Sequence, residues 1–245
     1  MVYYGCMKYL DAHCHILSAE KIHDTCSHGV GALIVNATQP AQWETVAELA
    51  RKDTCVYGAI GVHPWYVADL PDGWDFELIN ALATNPDLMV GEIGLDKNRP
   101  DFETQESVFC RQLQIAHDLS RVAHIHCVGA WGRMMDILRG VELPPAMVLH
   151  AFSGSPELVR ELAGLGAYFS FGNAIVDEKH AKMRASVAVV PENRILVESD
   201  APDCAMPDAI SDTVAEIAHL RGKGVAEMAN TIYENTMGLL NDRQI

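Results

Sequence analysis

Asp11-Ala-His-Cys-His15 sets two histidines two residues apart at the end of an apolar stretch from Met7 to Leu10. That stretch reads as a strand. Side chains alternate between the faces of a strand, so His13 and His15 point the same way, about 7 Å apart along the backbone. Two imidazoles at that spacing can converge on one metal ion. An isolated His-x-His is equally compatible with hydrogen-bonded core histidines or a surface pair. Recurrence favours ligation: later apolar stretches end near Glu92, His126, His150 and Asp200. Imidazole nitrogen and carboxylate oxygen suit Zn, Mn, Fe or Co, and carboxylates with water admit Mg, so the set is a shell for two divalent cations. Glu92 is the candidate bridge. Two ions about 3.5–4 Å apart would share a hydroxide and hold a phosphate oxygen. Asp200 would bind one ion and accept the proton of the attacking water, since a carboxylate beside dications stays ionised near neutral pH.

These residues need elements that bring them together. Compact apolar stretches predict eight strands, at residues 7–13, 31–36, 55–62, 88–93, 122–126, 146–150, 167–171 and 194–198. Such continuous stretches suit strands buried on both faces, as in a parallel sheet. Between them, helices are expected at 20–27, 40–50, 74–83, 102–119, 130–138, 155–163 and 178–188, with two more at 208–221 and 224–240. Pro40 and Pro156 sit in first turns, Ser155 is a plausible N-cap, and Val225, Met228, Ala229, Ile232, Thr236 and Leu239 share one face of the last helix. Eight strands alternating with helices predict an α/β fold, a (β/α)8 TIM barrel in a single domain over residues 1–245. An open doubly wound sheet is the alternative. The candidate ligands favour the barrel, whose strand ends meet around one mouth; an open sheet would string them along an edge.

Composition narrows the function. Lys and Arg number 18 against 33 Asp and Glu, a net charge of −15, which argues against coating nucleic acid through a basic surface but not against neutralising one phosphate locally with metal ions. The seven cysteines, Cys6, Cys14, Cys26, Cys55, Cys110, Cys127 and Cys204, include no CxxC and fit reduced, buried thiols in a cytoplasmic protein. Residues 1–7 lack the pattern of a signal peptide, either Met1 or Met7 can be the start, and no stretch is apolar enough to span a membrane.

Five motifs occur in order: Asp11-Ala-His-Cys-His15, Gly61-Val-His-Pro64, Val90-Gly-Glu-Ile-Gly-Leu-Asp96, His150-Ala-Phe-Ser-Gly154 and Glu198-Ser-Asp-Ala-Pro202. Together with Gln105, Phe109 and Gln112 of the following helix, they strongly resemble the TatD-type metal-dependent deoxyribonucleases of the amidohydrolase superfamily, over about residues 8–240. The resemblance implies a barrel, a two-metal site and hydrolysis of DNA phosphodiesters, often from a 3′ end, with DNA ends, single strands or a small phosphodiester as substrate. It implies His13, His15, Glu92, His126, His150 and Asp200 as ligands, His63 lining the pocket or orienting substrate, Glu198 behind the ligands and Asp96 near the pocket. The family's fifth-strand motif His-x-Arg reads His126-Cys-Val128 here, which removes a cation from the mouth, and the aromatic residue after Gly-Leu-Asp is Lys97. The stretch after Pro202, residues 203–207, is short. These departures bear on the substrate and leave the metals in place.

His124 and His126 form a second His-x-His whose spacing alone admits either as the ligand. The strand-end position and the resemblance favour His126 and leave His124 as a core histidine. His23, His28, His117, His180 and His219 read as solvated. Cys14 and Cys127 should turn away from the mouth. Trp65 and Trp74 can stack on a base, although packing under a loop is the usual role of a single tryptophan. Ser153 and Ser199 lack the elbow of a serine hydrolase. Two other functions fit the same ligands: hydrolysis of a carboxylic ester or amide, including an aminoacyl ester on RNA, and a barrel that holds metal without catalysis.

Overall fold

The computed structural model describes residues 9–202, 204–206 and 209–241. Strands and helices alternate along it: β1 (Tyr9–Cys14), α1 (Ala19–Ser27), β2 (Val30–Asn36), α2 (Trp43–Lys52), β3 (Val56–Ile60), α3 (Trp74–Thr84), β4 (Met89–Asp96), α4 (Phe102–Asp118), β5 (Ala123–Val128), α5 (Trp131–Gly140), β6 (Met147–Leu149), α6 (Pro156–Gly164), β7 (Ala167–Phe171), α7 (Ala181–Val187), β8 (Ile195–Val197), α8 (Ile210–Leu220) and α9 (Val225–Asn241). The eight strands pair in parallel in chain order. At the carboxyl ends the two edge strands meet: Asp200 N–H donates to His13 O at 3.0 Å and His15 N–H to Ala201 O at 2.7 Å. The sheet is therefore a barrel wrapped by helices, as the alternation of elements implies.

The apolar faces explain the layers. Leu33, Val35, Val90, Ile93, Ile125, Leu149 and Phe169 point outward to the helices in one large core, and Val46, Leu78, Phe109, Leu113 and Leu162 face them from the helical side. A second cluster takes Ala12, Ile34, Ala59, Met89, Val148, Tyr168 and Leu196 from seven strands, with Leu239 and Leu240 of α9. It fills the barrel beneath the mouth. His124 takes the place of β5 in that layer. It is buried, and its neighbours Ala123 and Ile125 face the helices.

The differences from expectation have local causes. Residues 40–42 form a 3-10 turn, so the α-helix starts at Trp43. The helix expected at 178–188 is only α7, with a 3-10 turn at residues 173–176 before it. β4 runs on to Asp96, because it stays paired with β5 as far as Asp96 and Val128. Glu92 therefore sits inside its strand rather than at its end. Val225 is exposed, leaving Met228, Ala229, Ile232, Thr236 and Leu239 as the buried face of α9. Cys14 and Cys127 are buried as expected, and burial pushes both thiols up, Cys127 to about 12. Cys26, Cys55 and Cys110 are only half-buried, and Cys204 is exposed. The Cys26 and Cys55 Sγ atoms are in contact at 2.8 Å. His117 is half-buried against the Leu143 carbonyl at 2.9 Å, not solvated. The Met1 or Met7 start, Cys6, the first two residues of the expected first strand, and residues 203 and 207 lie outside the described residues. Among the described residues, no helix is long and apolar enough to cross a membrane.

Candidate metal centre

Glu92 is the centre of the site, and an irregularity in β4 aims it. Val90 and Ile93 both pack toward the helices although three residues separate them, so strict alternation fails between them. The pairing with β5 shifts register over the same residues. This break, which follows a cis peptide between Gly91 and Glu92, turns the carboxylate into the barrel. β1 has a similar shift between Asp11 and Cys14, next to His13.

The two oxygens of Glu92 divide the imidazoles. Oε2 lies 3.4 Å from His13 Nε2 and 3.2 Å from His15 Nε2. Oε1 lies 2.7 Å from His150 Nε2, 3.0 Å from His126 Nδ1 and 3.4 Å from His63 Nε2. Asp200 joins the first group, its Oδ1 being 3.4 Å from His15 Nε2 and 4.0 Å from His13 Nε2. Imidazole nitrogens also approach one another, at 3.3 Å between His13 and His15 and 3.1 Å between His126 and His150. Within each of three overlapping triads, His13/His15/Asp200, His13/Glu92/His150 and His63/Glu92/His126, the donor atoms lie within 4.8 Å of one another. His13 and Glu92 are buried, whereas the side chains of His15 and Asp200 keep 14 % of their surface, which opens the cluster to solvent on that side.

Hydrogen bonds fix which nitrogen each ring presents. His15 Nδ1 donates to Asn36 O at 2.9 Å, leaving Nε2 for the cluster. His150 Nδ1 faces Glu198 Oε1 at 3.6 Å, and that oxygen also accepts the Ala151 N–H at 2.7 Å. His63 differs. Its Nδ1 accepts the Trp65 N–H at 3.2 Å, so neutral His63 carries its proton on Nε2 and donates toward Glu92. Among the clustered rings it is the donor, not a lone-pair ligand. This separates it from His126, which shares its triad.

Charge follows geometry. Burial would raise the Glu92 carboxyl, but the surrounding imidazoles hold it well below the usual range. Burial would lower His15, yet hydrogen bonds to Asp200 and Glu92 outweigh it and raise it to about 10. The same contest raises His150 well above its ordinary value through Glu92 and Glu198. Burial wins at His13 and His63 and lowers both. Asp200, although burial opposes it, is held low by His15, His150 and His13, and the Cys204 thiol donates to its Oδ2 at 3.0 Å.

Sequence reading missed the groups that hold this arrangement. Asp11 Oδ1 accepts the N–H groups of Ser199 at 2.9 Å and His13 at 3.2 Å, and its Oδ2 accepts the Ser199 hydroxyl at 2.5 Å. Burial pushes this carboxyl up to about 7 against those bonds. The clamp ties the strand carrying His13 to the one leading to Asp200, whose φ of 54° is left-handed and tolerable for Asp. Gln112 grips Val62 through both N–H and C=O, at 2.7 and 3.0 Å. Gln105 does the same for Asp96, at 2.9 and 3.1 Å. The glutamine spacing on the helix was visible, but not what it gripped. Asp96 is buried 3.9 Å from His126 Nε2. Trp65, 49 % exposed, stands at the rim rather than under a loop, while Trp74 packs against the core. Val128 ends β5 half-buried and uncharged.

Comparison with known proteins came next. The family model "TatD related DNase" matches residues 10–241. An uncharacterized metal-dependent hydrolase of Escherichia coli K12, YjjV, is 29 % identical, covering 96 % of this chain and 98 % of its own. The 3′-5′ ssDNA/RNA exonuclease TatD of the same strain is 30 % identical over 86 % of this chain and 88 % of its own. Among solved structures, the TatD homologue YjjV of Escherichia coli superposes with a TM-score of 0.89 at 28 % identity, covering 96 % of this chain and 98 % of that one. A TatD-family hydrolase of Entamoeba histolytica superposes with a TM-score of 0.80 at 17 % identity, covering 95 % and 97 %, which speaks to the fold alone.

Proposed function

The chain belongs to the TatD related DNase family, and from that premise we propose that this metal-dependent hydrolase cleaves DNA phosphodiesters from chain ends, using two divalent cations. The observation that carries the reading is the split at Glu92: one oxygen faces His13 and His15, the other faces His126 and His150. Four imidazole nitrogens and two carboxylates fit borderline divalent cations such as Zn or Mn, and the carboxylates admit Mg. In this proposal His13, His15 and Asp200 hold one ion, His126 and His150 the other, and Glu92 bridges them. Bound cations there supply Lewis acidity toward a phosphate oxygen and make water more acidic.

The residues of the chain do the rest. Asp200 Oδ1 lies at the solvent-facing side of the cluster and, kept ionised by its neighbours, accepts the proton of the attacking water. His63 directs its Nε2–H toward the Oε1 side of Glu92, where it donates to a phosphoryl oxygen. Asp11 and Ser199 hold the backbones of His13 and Asp200 in place.

The test combines a metal count on purified protein with turnover of 3′-labelled single-stranded oligonucleotides in Zn, Mn or Mg, beside a panel of carboxylic esters. Two bound ions and shortening of the oligonucleotide from one end are expected. Ester turnover without nuclease activity, or full nuclease activity in both Glu92→Gln and Asp200→Asn, would overturn the proposal.

A further inference from the structure

We propose that Arg99, stacked on Trp65, binds a backbone phosphate next to the scissile one, so that the site prefers a nucleotide strand to an isolated phosphodiester; this rests on the nuclease reading above. The Arg99 guanidinium carbon lies 3.8 Å from the centre of the Trp65 ring. That ring is fixed from below, because its indole N–H donates to Asp96 Oδ2 at 2.7 Å. Asp96 is buried, and its Oδ1 accepts the Asn98 N–H at 2.9 Å. Its carbonyl accepts the Arg99 N–H at 3.2 Å, and Gln105 Nε2 holds both that carbonyl and the Pro100 carbonyl. The segment carrying Arg99 is therefore pinned on both sides.

This shelf adjoins the metal centre. Asp96 Oδ2 is 3.9 Å from His126 Nε2, and the Trp65 ring meets the His63 ring edge-on at 5.1 Å. Among the described residues Arg99 makes no ion pair, whereas Arg51, Arg111, Arg133, Arg139 and Arg184 each pair with a carboxylate. In a chain of net charge −15, an exposed guanidinium at the mouth with an aromatic partner and no acid keeps its N–H fork for an anion. Stacking holds the fork in one plane, which lowers the ordering cost of a bidentate phosphate contact. Val128 supplies no cation at the neighbouring strand end, so Arg99 takes that task from the next loop.

The experiment compares wild type with Arg99→Gln and Arg99→Lys on a single-stranded oligonucleotide and on bis(p-nitrophenyl) phosphate, which has no second phosphate. Binding of a fluorescein-labelled oligonucleotide, followed by anisotropy against salt, gives a readout that needs no turnover. Arg99→Gln should raise the oligonucleotide KM about tenfold, the loss expected for one charge-assisted contact, with a far smaller change on the small diester. Its plot of log affinity against log salt should be shallower by about 0.7, one phosphate contact on a single strand. Arg99→Lys, which keeps charge without the fork, should fall between. Equal losses on both substrates would assign Arg99 a structural role and overturn the inference, as would an unchanged KM and salt slope. If wild type turns over neither substrate, the nuclease reading falls, and the binding comparison still decides for or against Arg99.

Discussion

Glu92 is a buried carboxylate facing five imidazoles, and its ionisation couples the whole cluster. Without cations, protons balance its charge and that of Asp200: His15 titrates near 10, and His150 well above its ordinary value. A metal ion binding to His15 must displace its proton. Affinity measured by competition with a chromophoric chelator should therefore rise about tenfold per pH unit below that pKa for each proton released. A pH-independent affinity would remove His15 and His150 from the ligand set. The same protons set the stability of chelator-stripped protein. His15 has a folded pKa above its unfolded one, so its contribution is complete below pH 6.5 and is lost as pH rises toward about 10. Thermal melts of stripped protein should fall across that window, and those of metal-loaded protein should fall less. Glu92→Gln should lose at least one bound ion, and turnover should drop by about a thousandfold or more. Asp200→Asn should lose comparable turnover, with an unchanged circular dichroism spectrum. The ligand types were legible in the sequence because His, Glu and Asp are rare where strands are otherwise apolar. The role of His63 was not, since its donor state depends on the Trp65 N–H. Nor was the Asp11–Ser199 clamp, which joins residues 188 positions apart through types common in any chain.

At the level of elements, the strands were legible because a barrel buries both of their faces, so that β2, β3 and β7 appear as compact apolar stretches. What the pattern could not show is where alternation breaks. β4 looks like any buried strand, yet its irregularity between Val90 and Ile93 is what aims Glu92. Gly94 belongs to the same device: at a φ of 145°, an added Cβ would fall onto the His126 carbonyl. Gly94→Ala should therefore push β4 and β5 apart, with little soluble protein recovered or a melt far below wild type. Soluble protein with a wild-type melt and metal content would show that the two strands need no such approach. Helix α4 contributes in another way, since Gln112 satisfies both polar groups of Val62 just before His63. Gln112→Ala leaves that buried N–H and C=O without partners, at a cost of about 2–4 kcal/mol. Its melt should fall accordingly, and KM should change with it as the His63 loop loosens. Gln112→Glu keeps the acceptor for Val62 N–H but not the donor, so it should recover only part of the loss.

For the whole molecule, the governing quantity is a net charge of −15 on a chain whose relatives include a single-strand exonuclease. A polyanion approaching such a surface is repelled before it reaches the mouth, and salt screens that repulsion over a Debye length of about 8 Å at physiological ionic strength. A basic nuclease behaves in the opposite way, because its affinity comes from counterions released along the strand and falls as salt rises. Here the positive potential is confined to the rim, at the metal centre and Arg99, while the acidic surface faces the rest of the strand. Repulsion thus grows with strand length, but the rim contacts do not. A trinucleotide and a long oligonucleotide offer the rim the same scissile and neighbouring phosphates and differ only in the charge trailing outside. Raising monovalent salt from about 10 to about 150 mM, at saturating divalent metal, should therefore raise kcat/KM for the long strand relative to the trinucleotide. The ratio should climb smoothly, and most of the gain should lie in KM, because association is the step being screened. A ratio that falls with salt would mean that the long strand gains binding from an extended basic track, and that net charge is a poor guide to how this barrel meets its substrate.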